Sequence, residues 1–291
     1  MTTLGSRSLL PWAVGSLAVA ALVGCARLGA QQLQQQPGGE QSVGGPAGAI
    51  YVDDGGGKEG LPVVFLHSFA GDSGHWSSQL ARARHQRRAL AMDLRGHGKS
   101  AAPPDNDYAV ESLVKDLGAV VDKLQIKRFV LVGHSMGGAV AIKYAGAHPN
   151  RVAGLVLVGA PGKIPAEQSA QVMGALQANY DATMKGYWEK LLQGAQPNVR
   201  TQLVAQMDGI PKDATLAIID ALFKDDPLAS LDRYPGPKLV VYTTSGDTPN
   251  DLQNVRPAIP RKLIAGTSHW PHLDRPGEFT QVLDEFLAGV K

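Results

Sequence analysis

Apolar residues in this chain come in two rhythms, short unbroken runs and longer stretches with helical spacing, and the two alternate from about Ile50 onward. The runs Ala49 to Val52, Leu61 to Leu66, Ala89 to Met92, Phe129 to Val132, Val152 to Val158, Lys238 to Tyr242 and Lys262 to Ile264 have the length and β-rich content of buried strands. Helical spacing fills Val110 to Leu124, the stretch from Ala139 to Tyr144 that His148-Pro149 ends, and the stripe Phe279, Val282, Leu283, Phe286, Leu287. Strand and helix alternating at this cadence predict an α/β fold with a mostly parallel sheet. From Lys163 to about Asp232 the rhythm is helical only, with stripes such as Tyr187, Trp188, Leu191, Leu192 and Leu216, Ile219, Leu222, Phe223. Ala26 to Gly48 is rich in Gln, Gly and Pro with few apolar residues, the composition of a disordered tether, and Asp53-Asp54-Gly55-Gly56-Gly57 is expected to be a turn.

The densest local signal is Arg128 to Tyr144, where an apolar strand runs through Gly133-His134-Ser135-Met136-Gly137 into a helix. A serine projecting from so tight a strand-to-helix turn cannot tolerate side chains two residues before and after it, and Gly133 and Gly137 remove them. The helix that follows aims its unpaired N–H groups at the turn, where they can hold developing negative charge.

With G-x-S-x-G in this setting, the chain from about Ile50 to its C-terminus resembles the α/β-hydrolase family. The resemblance implies an α/β-hydrolase core over residues 49–162 and 233–291, with a helical cap inserted at 163–232. It implies Ser135 as nucleophile, His269 of Gly266-Thr267-Ser268-His269-Trp270-Pro271 as base, and an acid a few residues past the Lys238–Tyr242 strand. Asp247 is the candidate acid, with Asp251 as the alternative because Gly246 abuts Asp247 where the family has Gly-x-x-Asp. His67-Ser68-Phe69-Ala70-Gly71 resembles the family's His-Gly-x-x-Gly loop, which implies the backbone N–H groups of Phe69 and Met136 as the oxyanion hole. Ser68 stands where glycine is usual. His67 is expected to be a structural histidine, Trp76 to pack beneath that loop, and Asp93-Leu94-Arg95-Gly96-His97-Gly98-Lys99-Ser100 to match a structural turn of the family. A phosphate-binding loop is excluded there, because Asp93 occupies a required glycine.

The chain has 291 residues and a net charge of +2, with basic residues scattered apart from Arg82, Arg84, Arg87 and Arg88, so nothing argues for nucleic acid. That cluster reads as a solvated helix face. His269 and His272 are spaced as a metal pair but lack a third ligand nearby, so no metal is expected, and His272 reads as a loop or rim residue. The single cysteine, Cys25, ends an apolar run from Leu9 to Val23 that follows Arg7 and is too short for a span of about 20 residues. Leu22-Val23-Gly24-Cys25 resembles the bacterial lipobox, which implies a signal peptide over 1–24, diacylglycerol on Cys25, a tether over 25–48 and attachment to a membrane outside the cytoplasm. Ordinary cleavage near Leu28-Gly29-Ala30, giving a secreted protein, or an uncleaved anchor are the alternatives.

Ser135, Asp247 and His269 fall in the order Ser, Asp, His that the resemblance implies. The chemistry expected is attack by Ser135 on the carbonyl of a small-molecule ester, an acyl-enzyme, and hydrolysis by water activated at His269, with no cofactor. Serine rather than aspartate at the turn disfavours epoxide hydrolases and haloalkane dehalogenases. Lactonases, thioester and carbon–carbon bond hydrolases, aminopeptidases, perhydrolases and a non-catalytic ligand-binding scaffold stay open.

Overall fold

The computed structural model describes residues 39–57, 59–207, 209–245 and 247–291, so the expected signal segment, Cys25 and the first part of the expected tether lie outside the described residues. Among the described residues an eight-stranded sheet is built from β1 (Gly39–Gly45), β2 (Gly48–Gly56), β3 (Val63–Leu66), β4 (Arg88–Met92), β5 (Phe129–His134), β6 (Val152–Val158), β7 (Lys238–Tyr242) and β8 (Arg261–Leu263). The strand order is β1-β2-β4-β3-β5-β6-β7-β8. β1 and β2 run antiparallel to their neighbours and all other pairings are parallel. β3, β5 and β6 are buried along their whole length, which is why they read as continuous apolar runs.

β1 and β2 depart from the sequence pattern. Gly39 to Gly45, expected to lie in the tether, is an edge strand in register with β2 from Gly39↔Asp54 to Gly45↔Gly48. Its own sequence has almost no strand signal, since only Val43 is buried, and the register comes from the partner. Asp53 to Gly56 is likewise not a turn but the second half of β2, paired with β4. Arg84 and Arg88 bind the Asp53 and Asp54 carboxylates, so this part of the arginine cluster is tied to the sheet rather than solvated.

Helices α1 (Ser77–Arg84), α2 (Val110–Lys123), α3 (Met136–Ala147), α4 (Ala166–Ala178), α5 (Tyr180–Leu191), α6 (Pro197–Met207), α7 (Lys212–Lys224), α8 (Leu228–Arg233), α9 (Leu252–Val255), α10 (Pro271–Asp274) and α11 (Pro276–Gly289) complete the described elements. The sheet separates two apolar layers. Val64, Leu66, Phe129 and Leu131 face the layer of α2, α3 and the inserted helices, while Val63, Phe65, Val130 and Val132 face α1 and α11. Among the described residues the segment between β6 and β7 holds helices and loops, as its rhythm predicts. Its last helix, α8, packs on α3 with the Ser230 carbonyl seated against Gly146, and so belongs to the core layer.

The Asp93–Ser100 turn is structural. Asp93 accepts from the Ser73 and Lys99 backbone N–H groups, each at 2.7 Å. Buried Arg95 makes two hydrogen bonds to buried Asp116, at 2.6 and 2.8 Å.

Candidate active site

The end of β5 delivers Ser135 on a backbone that almost no non-glycine residue adopts, φ 51° and ψ −112°. Both flanks hold it there. The Ser135 N–H donates to the Val158 carbonyl at 2.9 Å, and the Ser135 carbonyl accepts from the Gly138 N–H at 2.8 Å. The need for the flanking glycines is steric, as the sequence implies. A Cβ on Gly133 would strike the Gly137 carbonyl, and one on Gly137 would lie 2.5 Å from the His67 carbonyl oxygen.

The loop after β3 is pinned to this turn by the Gly137 N–H, which donates to the His67 carbonyl at 3.1 Å. His67 has a structural role. Its Nε2 accepts from the Leu94 N–H at 2.9 Å, which leaves Nδ1 protonated to donate to the Ser68 carbonyl at 2.7 Å, and burial holds its pKa well below the ordinary value. Among the described residues, the backbone N–H groups of Phe69 and Met136 have no protein acceptor. Ser68 is buried, and its hydroxyl oxygen accepts from the Trp270 indole N–H at 3.2 Å.

His269 sits at the same end of the sheet, with its ring over Gly159 at the end of β6 and 4.8 Å from the ring of His134, the residue before Ser135. Its backbone N–H donates to the Leu191 carbonyl at the end of α5, at 3.0 Å. Burial lowers its pKa to about 4, so the imidazole is unprotonated at neutral pH.

Neither candidate acid is paired with His269 among the described residues. Asp247 is exposed, and its Oδ1 accepts from the Gln253 and Asn254 side chains at 2.6 and 2.9 Å. Asp251 accepts from the Thr248 N–H at 2.7 Å, and burial raises its pKa.

His272 is not a rim residue: it is buried and stacks on Trp76 with ring centroids 4.2 Å apart. Trp76 is buried as expected, but against Phe65, His272 and Phe279 on the α11 side of the sheet rather than beneath the oxyanion loop. Histidine periodicity carries no burial signal, which is why these placements were not legible.

Other residues that shape the site were not singled out in the sequence. Asp274 accepts from the Ser268 N–H and hydroxyl, at 2.8 and 2.6 Å, and from the Gln196 N–H beyond α5 at 2.7 Å, so one buried carboxylate ties the histidine loop to the inserted helices. Its only sequence signal is an acid five residues past His269. A separate cleft of ≈ 320 Å³ between α2 and α7 contains neither Ser135 nor His269, and its Lys143 is paired with Glu111 and Asp225. Among the described residues no group of three or more His, Cys, Asp or Glu could hold a metal, and no helix is long and apolar enough to cross a membrane.

A parallel-sheet core carrying a strained serine on a strand-to-helix turn, with a histidine loop after the last strand, is the architecture of an α/β hydrolase. The model of the alpha/beta hydrolase fold matches residues 62–210, and the chain belongs to that family. It is 28% identical over 89% of its length to the sn-1-specific diacylglycerol lipase ABHD11 of Danio rerio, covering 88% of that protein. It is 40% identical over 37% of its length to the dihydrolipoyllysine-residue acetyltransferase component of the acetoin cleaving system of Pseudomonas putida. It spans only 29% of that relative, and 34% of a serine hydrolase-like protein of Danio rerio. Among solved structures, an esterase from Thermogutta terrifontis aligns with TM-score 0.71 at 23% identity, over 86% of this chain and 98% of its own. A bromoperoxidase from Bacillus anthracis aligns with TM-score 0.74 at 22% identity, over 86% and 100%. These two likenesses speak for the fold.

Proposed function

We propose that this protein is a serine hydrolase of carboxylic esters, with Ser135 as nucleophile, His269 as general base, Asp247 as the acid that orients it, and the Phe69 and Met136 N–H groups as the oxyanion hole. The observation that carries the reading is the backbone of Ser135, held at positive φ by hydrogen bonds on both sides where an ordinary turn would relax. A serine hydroxyl becomes nucleophilic when a neutral imidazole takes its proton, and His269 has the low pKa that keeps it neutral. The oxyanion then forms against two N–H groups that have no other acceptor among the described residues. Asp247 is preferred as the acid because it follows the β7 strand by a few residues, as the family resemblance implies. Among the described residues its exposed carboxylate is held by the Gln253 and Asn254 side chains, whereas Asp251 accepts from the Thr248 backbone N–H in its own loop.

The name of one relative supports this chemistry, a lipase aligned over 89% of this chain. A second reading, peroxyacid formation on the same serine, is favoured by a non-heme chloroperoxidase of Streptomyces lividans, 35% identical over 45% of this chain. A fluorophosphonate probe separates catalysis from a silent scaffold. Labelling should occur on Ser135 and vanish in Ser135→Ala, while absence of labelling with a folded protein would refute the hydrolase reading. Ester and peracid assays on the same preparation decide between the two chemistries.

The lipobox-like Leu22 to Cys25 supports a lipid anchor on Cys25. One acyl chain binds membranes only reversibly at about 0.8 kcal/mol per buried methylene, so a diacylglycerol would be needed to hold the protein there. In a bacterial host the wild type should fractionate with membranes and Cys25→Ser should not. Recovery of a soluble wild type cleaved near Ala30 would make the protein secreted instead.

A further inference from the structure

The cap helix α5 places one large side chain between the two loops that would handle the ester. The Trp188 ring stacks on Phe69 of the oxyanion loop at 5.8 Å and 16°, and on Trp270 of the histidine loop at 6.1 Å and 19°. All three rings are buried in one apolar cluster with Met136 and Met184. Trp270 is fixed in turn, because its indole N–H donates to Ser68 Oγ and its ring meets His269 edge to face at 5.2 Å. Ser68, which replaces the usual glycine of this loop, is therefore the acceptor that holds one end of the stack.

We propose that Trp188 is a specificity-determining residue that restricts the site to small, water-soluble esters with short acyl chains, and that Ser68 is a positioning residue acting through Trp270. This rests on the hydrolase reading above. An ester whose carbonyl oxygen binds at the Phe69 N–H, and whose leaving oxygen takes its proton from His269, must fit its substituents around the same two loops that Trp188 spans. Three near-parallel rings, buried in one apolar cluster, stand in the span between those loops that an alkyl chain would need. Among diacylglycerols, the class named for the lipase relative, those with long acyl chains are thereby disfavoured.

The test is a series of p-nitrophenyl esters from acetate to decanoate with dioleoylglycerol beside it, assayed on the full-length protein. In the wild type kcat/KM should fall steeply beyond butyrate, and dioleoylglycerol should be hydrolysed poorly. Trp188→Ala should raise the octanoate-to-acetate ratio by about tenfold or more, the low end of what a single methylene-sized change in an apolar pocket achieves. Trp188→Leu keeps an apolar plug without the stacked plane and should give a smaller rise in the same direction, which preserves the test if the alanine variant does not fold. Ser68→Ala and Trp270→Phe remove the same hydrogen bond, so each should raise the ratio, mainly through KM of the longer ester, and the double variant should add nothing further. A wild type that prefers octanoate or dioleoylglycerol, or an unchanged ratio in both Trp188 variants, overturns the proposal. That failure is distinct from failure of the hydrolase reading, in which no ester turns over and the fluorophosphonate leaves Ser135 unlabelled.

Discussion

Replacing Ser135 by glycine should make the protein more stable while destroying its activity, and the size of the gain follows from the backbone. At φ 51° and ψ −112° the Cβ of Ser135 is crowded, a conformation that costs about 1–3 kcal/mol for a residue other than glycine. Alanine keeps that Cβ and hence the strain, because the hydrogen bonds to Val158 and from Gly138 leave the backbone no room to relax. Glycine removes the strain but gives the unfolded chain more freedom, which offsets about 0.4–1 kcal/mol. The net expectation is that Ser135→Gly exceeds Ser135→Ala by roughly 1 kcal/mol, or about 2–4 °C in Tm for a domain of this size. Ser135→Ala is the right reference because both variants lack the hydroxyl. Urea unfolding at neutral pH, with thermal melts as a second probe, measures the difference. If the glycine variant unfolds at or below the midpoint of the alanine variant, the turn is not strained, and the structural reason for placing the nucleophile at Ser135 is lost.

Asp247→Asn should lower kcat far more than Asp251→Asn, since a correctly placed triad carboxylate is worth up to about four orders of magnitude, and the reverse ranking in ester assays would move the acid to Asp251. With the His269 pKa lowered to about 4, the base is lost only as pH falls through that value, so the acidic limb of kcat/KM should lie well below pH 6.5. A limb at or above 6.5 would mean that a carboxylate already engages His269 in the free enzyme. Burial also depresses the pKa values of His67, His134 and His272, and that of His97 to about 4. Between an unfolded pKa near 6.5 and those folded values the unfolded chain binds more protons, so stability should be fully present above pH 6.5 and decline as pH falls toward 4. A Tm constant over that window would show that these rings are not buried and neutral.

By itself the sequence determined whatever depends on neighbouring residues. The buried strands announced themselves as apolar runs because both their faces are covered, and β6 and β7 begin and end where their runs do. The glycines around Ser135 were legible because the steric demand of the turn is local. Tertiary structure decided the rest, through contacts between residues far apart in the chain. Gly39 to Gly45 is a strand because β2 supplies its register, and His272 is buried against residues far from it in the chain, among them Trp76, nearly two hundred residues earlier, and His134. Ser68 looked like a departure from a family pattern until the indole of Trp270 met its hydroxyl. The acid is a different case, because neither Asp247 nor Asp251 pairs with His269 among the described residues. Loop spacing places Asp247 near the end of β7, but the side chains that reach its carboxylate come from the next helix, α9, and no local pattern encodes that choice.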